Sequence, residues 1–205
     1  MKIVQIAGYL GSGKTTLIIA LSKKLAGLGM KIAILVNDVG AVPVDGTVMQ
    51  EYGLTVKDIG GGCICCQVAG SLMKTLETLA TTIGPDLVII EPTGIAVPDA
   101  ISQTVRLMAR KLPVEMGHTI VLFDTSRAAK LLTYDTLKRL VSLQIRDATI
   151  IGLSKSDLVT VKEVEEASKS VREINQKAEI VRISTVTGEG LSSLVGRIQG
   201  VHAMS

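Results

Sequence analysis

At 205 residues, with 47% apolar and 20% charged side chains, the chain has the balance of one globular domain rather than of a disordered or fibrous protein. Aromatics make up only 2%, so the core must come from Val, Ile, Leu and Ala, as in buried parallel strands flanked by helices. The formal charge of +3, the dispersed Lys and Arg and the near absence of aromatic platforms exclude nucleic acid as an expected partner, and no apolar run approaches the roughly 20 residues of a membrane span.

In chain order, Met1 to Ala7 is too short for a signal peptide and reads as a strand, Ile3 to Ala7, leading into a Gly-rich loop. Further short runs of branched apolar residues follow at Lys31 to Val36, Thr55 to Ile59, Leu87 to Ile90, Thr119 to Phe123, Thr149 to Leu153 and Glu179 to Ile183. Between most of them lie stretches with helical spacing, such as Leu17, Leu21, Leu25, then Leu72, Leu76, Leu79, and later Leu137, Leu140, Val141. The alternation predicts an α/β fold of the P-loop NTPase kind, a mostly parallel sheet with helices on both faces and ligands at the carboxyl ends of the strands. No internal repeat and no Pro-, Gly- or Ser-rich linker divides the chain, so one domain is expected to fill residues 1–205.

Gly8-Tyr9-Leu10-Gly11-Ser12-Gly13-Lys14-Thr15 matches G-x-x-x-x-G-K-[ST] between a strand and a helix. Gly8, Gly11 and Gly13 let the backbone curl so that successive N–H groups face phosphates, with Ser12 among the expected nucleotide-binding residues, and the following helix N-terminus adds favourable dipole. Lys14 is then expected at the β- and γ-phosphates, Thr15 at Mg²⁺ and Thr16 at the α-phosphate. The competing reading is a Gly-rich strand-to-helix turn with an incidental lysine.

Glu91 ends an apolar strand and is the candidate acid for Mg²⁺ or its water shell, with Pro92-Thr93-Gly94 turning where a γ-phosphate sensor would sit. A solvated acid at a strand end is the plainer alternative. Ser154-Lys155-Ser156-Asp157 resembles the N/T-K-x-D guanine-reading motif, in which Asp157 would accept from guanine N1 and N2 donors that adenine lacks. Ser184, Thr185 and Val186, with Thr187-Gly188-Glu189-Gly190 after them, resemble the final base-supporting loop. Asp157 could instead cap a helix beginning near Val161.

Gly60-Gly61-Gly62-Cys63-Ile64-Cys65-Cys66 gathers all three cysteines of the chain into four residues. Thiolates bind Zn²⁺, Co²⁺, Ni²⁺ or Cu⁺, and three of them leave a tetrahedral site one ligand short, with His118 and His202 far off in sequence. A buried thiol cluster or a redox-sensing loop is the alternative. Such clustering suits a reducing compartment, and the cytoplasm is the expected location.

With those residues in hand, the chain resembles the CobW-type family of metal-handling GTPases, related to the nickel-insertion GTPases of hydrogenase and urease. The resemblance rests on Gly8 to Thr15, on Val36-Asn37-Asp38-Val39-Gly40, on Gly62-Cys63-Ile64-Cys65-Cys66 and on Glu91-Pro92-Thr93-Gly94 with Pro98. It implies that Cys63, Cys65 and Cys66 hold a transition metal (Zn²⁺, Co²⁺ or Ni²⁺), and that GTP/GDP state with Mg²⁺ governs its passage to a client metalloprotein or cofactor-pathway protein. It places Asp38 at the switch, as a ligand of Mg²⁺ or of the transition metal, where the family pattern N-E-x-G has a Glu. Ala41 replaces a further Glu of that pattern, and the family's usual C-terminal domain is expected to be absent. Lys14, Glu91 and Asp38 are the expected catalytic set. No arginine finger or water-positioning residue is evident in the sequence, so slow turnover and a GTP-dependent homodimer are expected. A thiol redox-regulated NTPase, a small-molecule kinase and a non-hydrolysing zinc-binding scaffold are the alternatives.

Overall fold

The structure, a computed structural model, describes residues 1–36, 55–58 and 67–200. The described strands are β1 (Lys2–Gly8), β2 (Ile32–Val36), β3 (Thr55–Asp58), β4 (Leu87–Glu91), β5 (Glu115–Asp124), β6 (Ile150–Ser154) and β7 (Glu179–Ile183). The helices are α1 (Lys14–Gly27), α2 (Gln67–Thr78), α3 (Asp99–Met108), α4 (Ala128–Thr133), α5 (Asp135–Arg146), α6 (Val161–Ile174) and α7 (Leu191–Gln199).

The described strands form one sheet in the order β3-β2-β4-β1-β5-β6-β7, and every neighbouring pair is parallel. Parallel strands covered on both faces must be apolar at successive positions, which is why they read as unbroken runs rather than alternations. Residues two apart share a face. Val4 and Ile6 of β1 pack with Ile34, Ile89 and Ile120 against Leu17, Leu21 and Leu25 of α1 and Leu194 and Ile198 of α7. On the opposite face Ile3, Leu35, Val88 and Ile90 meet Leu76 of α2 and Val105 of α3. Farther along that face Val121, Phe123 and Leu153 meet Val141 and Ile145 of α5 and Val164 and Val171 of α6.

Strand β5 begins at Glu115, four residues earlier than its apolar run predicts. Of the extra residues Glu115, Met116, Gly117 and His118 only Met116 is apolar, and Glu115 and Met116 pair with Lys2 and Ile3 ahead of a register shift in β1. The chain leaves β1 toward β2 and β3, returns to β4 on one side of β1, then continues to β5, β6 and β7 on the other. β1 therefore lies at the reversal of strand order, where the carboxyl ends of an open α/β sheet form a crevice.

Candidate functional site

The loop from Gly8 to Gly13 joins β1 to α1 at that crevice. Gly8 has φ 138°, and a Cβ there would lie 2.5 Å from the Leu122 carbonyl oxygen, so the loop can leave the sheet only through glycine. Helix α1 starts at Lys14 with no side-chain cap and no acid in its first turn, which leaves its leading N–H groups for an anion. Lys14, the first residue of α1, is 5% exposed.

On the β4 side, Thr15 Oγ1 donates to Glu91 Oε1 at 2.7 Å, and Glu91 is buried at the last position of its strand. This hydroxyl and carboxylate, 76 residues apart, make an all-oxygen donor pair of the type Mg²⁺ takes. Among the described residues, Ser12 Oγ and Thr93 Oγ1 are buried with no hydrogen-bond partner, as hydroxyls left for phosphate oxygens or metal-bound water would be. The 92–98 loop rests directly on the phosphate loop: a Cβ on Gly94 would lie 2.5 Å from Leu10 Cδ2 and 2.9 Å from Leu10 N. Three side chains hold this loop and the first residue of α3. Gln144 of α5 donates to Gly94 O at 3.2 Å and Ala96 O at 2.8 Å, Gln5 of β1 donates to Pro98 O at 3.1 Å, and Asp147 accepts from Asp99 N at 3.1 Å.

On the β6 side a cavity of about 260 Å³ is walled by Ser12, Gly13 and Thr16 on the phosphate-loop side and by Lys155, Asp157, Thr185 and Val186 opposite. Lys155 adopts φ 59°, the one positive φ outside glycine among the described residues, in the 154–157 turn. Asp157 is exposed and does not cap α6; Thr160 does, in a reciprocal capping box with Glu163. Ser184 is set back from the cavity: 1% exposed, it accepts from Val186 N at 3.2 Å and Thr187 N at 3.1 Å, and so shapes the loop that the cavity meets. Ser156 Oγ donates to Glu189 Oε2 at 2.7 Å and fastens the two loops together. Ser154, standing where an Asn was expected, donates to Phe123 O at 3.3 Å, and Thr125 Oγ1 donates to Ser154 O.

Residues 2–182 match the family described as CobW/HypB/UreG, nucleotide-binding domain. The chain belongs to this family. It is 35% identical over 119 residues to the zinc chaperone YeiR of Escherichia coli, a match covering 58% of this chain and 36% of that protein. With the zinc chaperone YjiA of the same organism it shares 29% identity over 188 residues, covering 87% of this chain and 56% of the relative. The hydrogenase maturation factor HypB from Archaeoglobus fulgidus superposes with a TM-score of 0.71 at 21% identity, covering 98% of this chain and 90% of that one. This chain thus spans between about a third and just over half of those two curated relatives.

Within this CobW/HypB/UreG domain, Asp38 and the loop carrying Cys63, Cys65 and Cys66 lie outside the described residues. The strand ends that flank them do not: Val36 pairs with Glu91 on one side and Asp58 on the other, at the carboxyl edge of the sheet.

Asp124, Arg127 and Gln144 also stand at the site, and motif reading does not reach them. Asp124 closes β5 and is 1% exposed; its Oδ2 accepts from Arg127 Nε at 2.7 Å and Lys155 Nζ at 2.8 Å. Burial works to raise the Asp124 carboxyl, but hydrogen bonds from Lys155, Ser126 and Arg127, with the Arg127 charge, outweigh it and hold the group below its ordinary value. An acid and an arginine three apart at the end of the apolar run ending in Phe123 were the available signal.

Proposed function

We propose that this chain binds and hydrolyses GTP and is a metallochaperone domain, holding a transition metal at Cys63, Cys65 and Cys66 and passing it to a client metalloprotein or cofactor-pathway protein according to nucleotide state. The observation that carries this reading is the cavity that joins phosphate-loop residues Ser12, Gly13 and Thr16 to Lys155, Asp157, Thr185 and Val186. Asp157 accepts hydrogen bonds from guanine N1–H and N2–H, and facing adenine it would be left unpaired. The loop N–H groups and Lys14 take the phosphates. Thr15 and Glu91 would hold Mg²⁺, which when bound neutralises charge on the β- and γ-phosphates. Thr93 Oγ1, buried and unpartnered among the described residues, is the γ-phosphate contact that hydrolysis removes.

The metal half of the reading rests on thiolate chemistry, which suits zinc, cobalt or nickel, and on kinship with proteins named zinc chaperones. Asp38, in the segment that follows Val36, is the carboxylate we assign to the link between metal and nucleotide. GTP-dependent pairing of two copies belongs to the same reading, since Leu10, Ile95 and Val97 are exposed apolar side chains on the phosphate and sensor loops.

The test is titration of the reduced protein with Co²⁺ in GDP and in a non-hydrolysable GTP analogue, read by thiolate-to-cobalt absorption, beside phosphate release from GTP and ATP. Binding that shifts with nucleotide and disappears in Cys65→Ser, together with GTP hydrolysis abolished by Lys14→Ala, is the expected result. Equal cobalt affinity in both nucleotide states would end the coupling, and activity lost on mild oxidation without metal binding would make the thiols a redox switch.

A further inference from the structure

Lys155 lines the cavity, yet its charge is turned away to Asp124 Oδ2. The same oxygen accepts from Arg127 Nε, and Arg127 Nη2 donates onward to Leu10 O at 2.8 Å. The guanidinium lies along the outside of the phosphate loop, 3.3 Å from where a Gly11 Cβ would stand. Asp124 Oδ1 accepts from Ser126 N at 3.1 Å and Ser126 Oγ at 2.6 Å, which fixes the orientation of the carboxylate. One buried oxygen is therefore the common fastening point of a phosphate-loop carbonyl and of the lysine in the 154–157 turn.

Geometry makes this arrangement hard to replace. A P-loop points its N–H groups inward at phosphates, so its carbonyls face away and need donors on the outer side. Arginine's planar fork serves a carboxylate and a carbonyl from two separate nitrogens, whereas a lysine in its place donates all its bonds from a single atom and does not reproduce that two-point geometry. Two cations on one carboxylate also leave a net positive charge behind the loop, the sign a polyphosphate requires.

We propose that Asp124 and Arg127 are positioning residues that couple the grip on the phosphates to the reading of the base, Arg127 bracing the phosphate loop at Leu10 and Asp124 holding Lys155 in register with it. The inference rests on the nucleotide reading given above and adds a strut to it. Neither side chain touches the nucleotide; both act through Leu10 and Lys155.

The experiment is a double-mutant cycle on the full chain, Arg127→Met, Lys155→Met and both together, with GDP and ADP dissociation constants measured by fluorescent-nucleotide displacement in the presence of Mg²⁺. Loss of a charge-assisted bond at a part-exposed site should weaken GDP about tenfold in Arg127→Met. The double variant should be about as weak as the worse single one, and Arg127→Lys should recover part of the loss. The preference for GDP over ADP should fall in Arg127→Met, which a strut acting on the phosphate loop alone would leave unchanged. Fold-losses that multiply in the double variant, with GDP and ADP weakened equally, would overturn the coupling and leave the GTPase reading intact. A wild-type chain that binds neither GDP nor GTP would sink both.

Discussion

Replacing Gln144 with Leu tests whether the sensor loop owes its position to helix α5. Gln144 is 1% exposed, and its amide nitrogen donates to Gly94 O and Ala96 O. Leucine has nearly the same volume, so packing changes little while both bonds are lost. The Gly94 bond is buried, and a carbonyl left without a donor there costs about 1–3 kcal/mol. The Ala96 bond is partly buried, so water can replace some of it and its loss costs about 1 kcal/mol. The sum, about 2–4 kcal/mol, corresponds at about 2–4 °C per kcal/mol to a melting point lower by roughly 4–16 °C. Differential scanning calorimetry measures it, with urea denaturation checking that the m-value is unchanged. GTP hydrolysis should fall further than GDP binding, because Gly94 follows Thr93 directly and rests on Leu10. A melting point within about 2 °C of wild type, with hydrolysis intact, would show that Gln5 and Asp147 hold the loop by themselves.

Asp157→Ala should weaken GDP about a hundredfold, through loss of two bonds to a charged acceptor, and leave ADP affinity unchanged; isothermal titration with both nucleotides decides. Glu91→Gln keeps an acceptor for the Thr15 hydroxyl but loses the charge, so Mg²⁺-dependent hydrolysis should drop about 10–100-fold while GDP binding without Mg²⁺ persists. The carboxyl of Asp147 is pushed up by burial and by Asp99, against the hydrogen bond from Asp99 N. A raised group contributes stability that is present at low pH and lost as pH rises through its folded value, so Asp147→Asn should raise the melting point at pH 7, with a gain that shrinks as pH falls through the carboxylate range. Asp124 has the opposite sign: its contribution should persist at neutral pH and fail only as pH falls below the ordinary value of 3.8, which acid melts of wild type against Asp124→Asn would reveal.

The parallel sheet was legible because burial on both faces forces continuous Val, Ile and Leu runs, and each predicted run with described residues contains a strand. The phosphate loop was legible for a chemical reason, since few residue types can cradle phosphate at that spacing. Lys155, Asp157, Thr185 and Val186, the residues expected at the base, line one cavity with the phosphate loop, whereas Ser184, expected beside them, accepts from the backbone of its own loop. Gln5, Asp124, Arg127 and Gln144 were not legible. Each acts across the fold, on a partner between 31 and 117 residues away, and a lone Gln in an apolar strand or helix has no spacing that marks it. Residues that meet the ligand are constrained by the ligand's chemistry, whereas residues that hold them in place are constrained by topology, which the sequence expresses only once the strand order is known.

That topology concentrates two influences on one residue of the phosphate loop. A Cβ on Gly94 of the 92–98 loop would meet Leu10 at its nitrogen and side chain, and Leu10 accepts Arg127 at its carbonyl. The sensor loop in turn depends on Gln144 and the arginine on Asp124. A displacement of the 92–98 loop therefore meets the same peptide that Arg127 braces, which in the proposed reading puts the γ-phosphate end and the base end of the site mechanically in series. If so, Gln144→Leu and Arg127→Met, in different helical segments, should be non-additive in GTP affinity while their effects on melting temperature add, because distant side chains couple only through an element they share. Additive losses in affinity would mean that Leu10 is merely a neighbour of both loops and transmits nothing between them.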